Sequence, residues 1–201
     1  MRRIRIVVAY DGTNYCGWQI QPNGITIEEI LNRQISKLTG EDIRIIGASR
    51  TDSGVHALGN VAVFDTESRI PGDRFAYALN QKMPEDIVIV RSDEVQIDWH
   101  PRYQNEISKT YEYHIYNAKV RNPLKNRYST FVSFDLDVEK MRQGAKYILG
   151  EHDFASFCNV RTNAKDTVRT VHEITIKEIP MDKFQASNWG QENSNLENEK
   201  E

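Results

Sequence analysis

Arg50, Thr51 and Asp52 stand consecutively within the stretch Gly47-Ala48-Ser49-Arg50-Thr51-Asp52-Ser53-Gly54-Val55-His56-Ala57. Three neighbouring positions thus present a cation, a hydroxyl and a carboxylate. An ionised carboxylate can act as a nucleophile or take up a proton, and a guanidinium close by favours the ionised form. Gly47 and Gly54 bracket the triplet, and glycine adopts backbone angles that other residues avoid, so the bracket reads as a shaped loop. Hydrophobic runs lead in (Ile43 to Ile46) and out (Val61 to Phe64), which places the loop between two strands. Taken alone, an Arg-Thr-Asp triplet reads as a polar hairpin with a local Arg–Asp pair. Any functional reading has to come from the rest of the chain.

Other chemistries find little support. The five histidines (His56, His100, His114, His152, His172) are scattered, with no pair at metal-ligand spacing and no cysteine pair beside them. There is no phosphate-cradling glycine loop, no dinucleotide fingerprint and no serine in a nucleophile-elbow context. His152-Asp153 offers an acid/base pair, but a turn after a helix that packs Phe154 and Phe157 explains it better. Tyr111 and Tyr113 fall on one face of a predicted strand. They could stack on bases, as aromatics on RNA-reading sheets do, or be buried under a helix. Asp52, near Arg50, remains as the reactive group.

The elements that must position it follow from periodicity. Arg3 to Tyr10 alternates, with Ile4, Ile6, Val8 and Tyr10 on one side and Arg3 and Arg5 on the other, as a half-buried strand does. Thr26 with Glu29 forms a capping box, behind which Ile27, Ile30, Leu31, Ile35 and Leu38 recur at helical spacing until Gly40. Strands follow at 43–46 and from about Leu58 to Phe64. Pro71-Gly72-Asp73 opens a second helix carrying Phe75, Ala76 and Leu79, and Ile87 to Val90 is a short apolar strand. Strand–helix–strand–strand–helix–strand is the order of a split βαβ, or ferredoxin-like, sandwich. Residues 1–98 therefore read as one α+β half carrying the loop.

A second α+β half is expected over 99–184. It has a strand at Lys109 to Tyr116, a helix from Asp137 to Gly150 and a strand from about Thr167 to Ile179. The hairpin strand and helix that should close it do not follow. Residues 185–201 are rich in Asn, Gln, Glu and Ser and lack the apolar content that ordering requires, so a disordered tail is expected.

Hydrophobic residues make up 39% and charged residues 27% of the 201, the balance of a chain with a buried core. No apolar run reaches the roughly 20 residues of a membrane span, and the N-terminus lacks a signal-peptide core. Two cysteines, Cys16 and Cys158, make no disulfide framework, which suits a reducing cytoplasm. The net charge of −3 does not advertise nucleic-acid binding, but residues 180–201 hold five of the acids and two lysines. The remaining body is neutral, and within it Arg102 to Arg127 carries six cations against Glu106 and Glu112. From charge alone this is a phosphate-binding patch or a solvated face.

The motifs together are specific. Tyr10-Asp11-Gly12-Thr13, Gly17-Trp18-Gln19 and Gln21-Pro22 precede Arg50-Thr51-Asp52-Ser53-Gly54-Val55-His56-Ala57, Gly59 and Phe64. Then come His100-Pro101-Arg102, Lys109-Thr110-Tyr111-Glu112-Tyr113, His152-Asp153-Phe154 and Arg169-Thr170. In this order, over about 170 residues, the chain resembles the TruA family of tRNA pseudouridine synthases. The resemblance implies a cofactor-free isomerase acting on uridines 38, 39 and 40 of the tRNA anticodon stem-loop. It also implies two related α+β halves around an RNA-binding cleft, and a homodimer. It makes Asp52 the catalytic carboxylate, Arg50 the arginine two residues before it and Tyr111 the tyrosine against the target base. Ser53 stands where the family commonly has alanine. Family members continue through a Phe-Leu-Tyr-x-Met-Val-Arg type segment whose arginine pairs with the catalytic aspartate, and nothing after Phe184 matches it. The expectation is a second half that is truncated or divergent after about residue 184. The alternative to an active enzyme is an RNA-binding remnant of one.

Overall fold

The computed structural model describes residues 1–103, 108–158 and 166–180. The chain divides into two compact units, Met1–Tyr111 and Glu112–Glu201.

The first unit is built on β1 (Arg2–Tyr10), whose alternation is realised residue by residue. Ile4, Ile6, Val8 and Tyr10 are buried on one face. On the other, Arg3 grips the Asp65 carboxylate with two nitrogens at 2.7 and 2.8 Å, and Arg5 grips Asp93 at 3.0 and 2.6 Å. α1 (Ile27–Thr39) begins where Thr26 Oγ1 accepts from Glu29 N–H at 3.3 Å and ends at Gly40, which is left-handed at φ +77°. Ile27, Ile30, Leu31 and Ile35 pack its inner face into the core.

β2 (Ile46–Gly47) and β3 (Ala57–Thr66) follow, then a 3₁₀ turn (Gly72–Arg74), α2 (Phe75–Asn80) and β4 (Ile87–Val95). The strand order is β2-β3-β1-β4, with every neighbouring pair antiparallel. Both helices contribute to the single core beneath the sheet, where Phe64 and Phe75 meet edge to face at 5.3 Å.

The strand expected at 43–46 pairs over only two residues. Ile43 and Ile45 are buried, but their N–H groups donate at 2.9 Å to Ser36 Oγ and Asn32 Oδ1 of α1. Helix side chains supply the acceptors that a neighbouring strand would have supplied. β4 runs further than its apolar stretch, to Val95. Its polar end pairs with β1 past a bulge between Val7 and Val8, where Asn80 Oδ1 accepts from Ile89 N–H and Asn80 Nδ2 donates to Ile89 O.

The second unit contains β5 (Ile115–Asn117) paired in parallel with β6 (Thr130–Val132), α3 (Val138–Ala145), and β7 (Gly150–Asp153) antiparallel to β8 (Val168–Val171). The long strands expected at Lys109–Tyr116 and Thr167–Ile179 are largely irregular. Their alternation requires a buried face, and Tyr111, Tyr113, Ile115 and Val168 are all exposed. None of the described residues from 112 onward is buried. α3 starts at an Asp137 cap, whose carboxylate accepts from Lys140 N–H at 3.0 Å and is held below its usual range by that bond. It stops at Ala145 rather than reaching Gly150. Beyond it the chain tightens into three-residue turns, because Gly144 weakens the last helical turn and Ile148 and Leu149 are left exposed among the described residues.

Candidate active site

The loop 48–56 leaves β2 and returns as β3, and two separate sets of contacts hold it. From above, Ala48 N–H donates to Val61 O at 2.7 Å and extends the β2–β3 ladder by one rung. At Ser49 the chain peels away, and the Asn60 side chain replaces the missing strand. Its Oδ1 accepts from Ser49 N–H at 3.2 Å and its Nδ2 donates to Ser49 O at 3.1 Å. The same Nδ2 lies 3.3 Å from the Tyr10 hydroxyl, which is 2.8 Å from Thr51 Oγ1. Tyr10 is buried, and burial pushes its phenol pKa up, so the hydroxyl stays protonated and available to Thr51.

From below, the segment 11–18 supports the loop backbone to backbone. Trp18 N–H donates to Thr51 O at 3.0 Å, and Gly54 N–H donates to Tyr15 O at 3.2 Å. Ser53 Oγ adds a bond to the same carbonyl at 3.3 Å. Such close approach requires residues without side chains. A Cβ on Gly12 would lie 2.0 Å from Val55 O, one on Gly17 2.5 Å from Thr51 O, and one on Gly47 2.6 Å from the Trp18 indole. Tyr15 anchors this support by donating its hydroxyl to Asp86 at 2.6 Å, while Asp11 N–H donates to Asp86 O at 2.9 Å. Burial, then the Asp86 carboxylate, raises the Tyr15 pKa well above its ordinary value.

Between the two sets sits Asp52. Its own carbonyl accepts from Val55 N–H at 3.2 Å, closing a tight turn in which Gly54 takes φ +79°. Its side chain is exposed. The expected Arg50–Asp52 pair is not formed: among the described residues Asp52 makes no ion pair. Both groups are solvated, and an exposed ion pair contributes only about 0–1 kcal/mol, too little to fix two side chains. Arg50 and Tyr111 are likewise exposed, Tyr111 to 73%, and among the described residues neither makes a side-chain hydrogen bond or ring contact. Arg102 Nε donates to Gly47 O at 2.7 Å and Lys109 Nζ to Ala48 O at 3.4 Å, so two cations of the expected basic patch stand at the loop's entry. Lys119 pairs with Asp135 at 2.8 Å, and Arg121 lies 5.1 Å over the Phe131 ring.

A backbone held rigidly on both sides of a solvent-facing carboxylate can present that group to a large ligand that docks on the surface. Two cavities of about 340 and 520 Å³ lie elsewhere, the first beside Tyr15 and Arg33 and the second beside Arg3 and Trp99, and neither includes Asp52. Among the described residues no three His, Cys, Asp or Glu side chains gather as a metal site would require. No described helix is long and apolar enough to cross a membrane.

A model of the tRNA pseudouridine synthase family matches residues 6–104 and 145–188, more than half of the chain. The chain belongs to that family. Relatives agree over most of its length. It is 47% identical over 191 residues to tRNA pseudouridine synthase A of Acetivibrio thermocellus, covering 94% of this chain and 78% of the relative. It is 48% identical over 177 residues to tRNA pseudouridine synthase A 2 of Clostridium perfringens, covering 88% and 72%. The protein of Brevibacillus brevis called tRNA pseudouridine synthase A is 44% identical over 179 residues, covering 89% and 73%. The first matched segment contains the whole of the loop and its supports. Sequence reasoning passed over Asn60, the Tyr10 hydroxyl and the Tyr15 carbonyl. The one signal available for Asn60 was an amide side chain where an apolar strand begins.

His152-Asp153 is used structurally. The Asp153 carboxylate accepts from Ala155 N–H at 2.9 Å and from the Thr167 hydroxyl, and the Thr167 bond foremost holds its pKa below the usual range. His152 and Asp153 lie on β7, paired with Arg169 and Val168, rather than in the expected turn; Phe154 and Phe157 meet edge to face at 5.8 Å just after it, with Phe157 exposed.

Proposed function

We propose that this chain isomerises uridine to pseudouridine in tRNA, with Asp52 as the catalytic carboxylate. The observation that carries the reading is the Asp52 loop, fixed at Thr51 by Tyr10 and Trp18 and at Ser53–Gly54 by Tyr15, with its carboxylate open to solvent. The reaction breaks the C1′–N1 bond, turns the base and joins C1′ to C5. The hydrogen on C5 is lost to water and N1 gains one, so no atom is gained or lost overall. An ionised carboxylate assists as the base departs, by attack on the sugar or by removing a proton from it. A fixed backbone keeps it in reach, and positional errors of about 1 Å cost on the order of 100-fold in rate.

In this reading the substrate is the anticodon stem-loop, at uridines 38, 39 and 40. The uridine must leave its stack, at a cost of a few kcal/mol, and Tyr111 receives it while Arg50 holds the displaced backbone. The exposure of both side chains suits contact with a docked RNA. The proposal extends to ferredoxin-like halves, for which the β2-β3-β1-β4 order of the first unit is the support, and to a homodimer acting in the cytoplasm.

The test uses tRNA transcripts carrying tritium at uridine C5. Release of tritium by the purified protein, abolished in Asp52→Asn, supports the proposal. Binding of tRNA without release would support an RNA-binding remnant instead, and release undiminished in Asp52→Asn would remove Asp52 from the chemistry.

A further inference from the structure

Resting on that reading of the loop, we infer that Asn60 is a positioning residue for Asp52, acting through Ser49 and, with Tyr10, through Thr51. The Asn60 side chain is 7% exposed, and both directions of its amide are in use. Oδ1 accepts from Ser49 N–H, while Nδ2 donates to Ser49 O and to the Tyr10 hydroxyl. An amide can accept from the N–H and donate to the C=O of one residue at once, which an ionised carboxylate cannot, and this is how a neighbouring strand would pair with it. The fold uses the same device on Ile89, where Asn80 spans the bulge in β4.

The location gives the device its purpose. β1 and β3 are out of simple register here: Val8 pairs with Asn60 but Tyr10 with Ala57, so the sheet has a bulge where the loop departs. Without Asn60, Ser49 would have no backbone partner on the β3 side. With it, the chain is fixed three residues before Asp52 by the amide and one residue before by the Tyr10 hydroxyl on Thr51. A buried amide whose only task was to satisfy itself would not need to reach the loop that carries the carboxylate.

The experiment compares the full chain with Asn60→Asp, Tyr10→Phe and Asp52→Asn. Asn60→Asp keeps size and the bond from Ser49 N–H, but turns an oxygen toward Ser49 O and the Tyr10 hydroxyl. Two acceptors then face each other unless the new carboxyl is protonated. Single-turnover tritium release at saturating tRNA should fall about 10- to 100-fold in Asn60→Asp, with tRNA binding changed less than about threefold. The ratio of variant to parent rate should rise as pH falls, because a protonated carboxyl regains a donor. Tyr10→Phe keeps the buried ring and should lower the same rate with binding intact. A general loss of folding would instead lower melting temperature and binding together. Amide hydrogen exchange at Ser49 and Thr51 supplies a readout independent of turnover and should quicken at least tenfold in Asn60→Asp. If the parent is inactive, or Asp52→Asn is active, the proposed function fails while exchange still decides the role of Asn60. Unchanged exchange in Asn60→Asp, or a rate equal to the parent's, overturns the inference.

Discussion

Gly12→Ala isolates the fit between the catalytic loop and its support. The new Cβ would sit 2.0 Å from Val55 O, 2.7 Å from Val55 C and 3.1 Å from Val55 N, against 3.4 Å or more for ordinary contact. All three atoms are backbone, so no rotamer change relieves the clash, and the 11–18 segment must part from the loop by more than an ångström. That movement strains Gly12 N–H to His56 Nδ1, at 3.2 Å, and Gly54 N–H to Tyr15 O. Overpacking of this kind costs about 1–3 kcal/mol, and backbone on both sides places Gly12→Ala at the upper end. Displacement of Asp52 by about 1 Å adds a rate loss of roughly 100-fold. Gly40→Ala is the control for backbone strain alone: Gly40 has φ +77° with nothing within 4 Å of its Cβ position, so about 1–2 kcal/mol is lost with no change in rate. Gly144→Ala is neither strained nor crowded, and as a helical position should gain about 0.5–1 kcal/mol. Urea unfolding and tritium release are measured on all three variants. Gly12→Ala with parental activity, or with a stability loss no larger than that of Gly40→Ala, would refute the steric account of the support.

Phe75→Ala removes a fully buried ring that meets Phe64 edge to face, and urea unfolding should show a loss of about 3–5 kcal/mol. Tyr15 links stability to alkaline pH. Its raised pKa means the folded chain keeps the phenol proton while the unfolded chain releases it near pH 10. The stabilisation is complete below that pH and declines as pH rises above it. Tyr15→Phe should flatten this decline in unfolding curves from pH 9 to 11. Tyr111→Phe should keep tRNA affinity in a binding assay while changing the turnover rate, and unchanged turnover would remove Tyr111 from the mechanism.

Periodicity carried most of the first unit. The alternation of Ile4, Ile6, Val8 and Tyr10 and the Thr26 cap specify their elements because each depends on neighbours within a few residues. The shortness of β2 was not legible, since the N–H groups of Ile43 and Ile45 before it donate to Ser36 and Asn32 of α1, whose proximity is a tertiary fact. In the second unit alternation overpredicted strands, because a pattern alone cannot supply a layer to bury Tyr113 and Ile115. The loop around Asp52 was legible from its glycines, but the absence of an Arg50–Asp52 pair was not. The support was hidden for a different reason. Gly12, Gly17 and Gly47 look like turn residues in sequence, and only their distances to Val55, Thr51 and Trp18 reveal close backbone approach. The sequence motifs contain Tyr10 and Trp18 but not their partners, which lie some 30 to 50 residues away.

The central claim is tested most directly by mapping pseudouridine in the product itself. tRNA transcripts incubated with the full chain are treated with a carbodiimide that marks pseudouridine, and reverse-transcription stops are read across the anticodon stem-loop. Stops at positions 38, 39 or 40 with the parent and none with Asp52→Asn are the predicted result. Unmodified tRNA from the parent, or identical stops from Asp52→Asn, would contradict it.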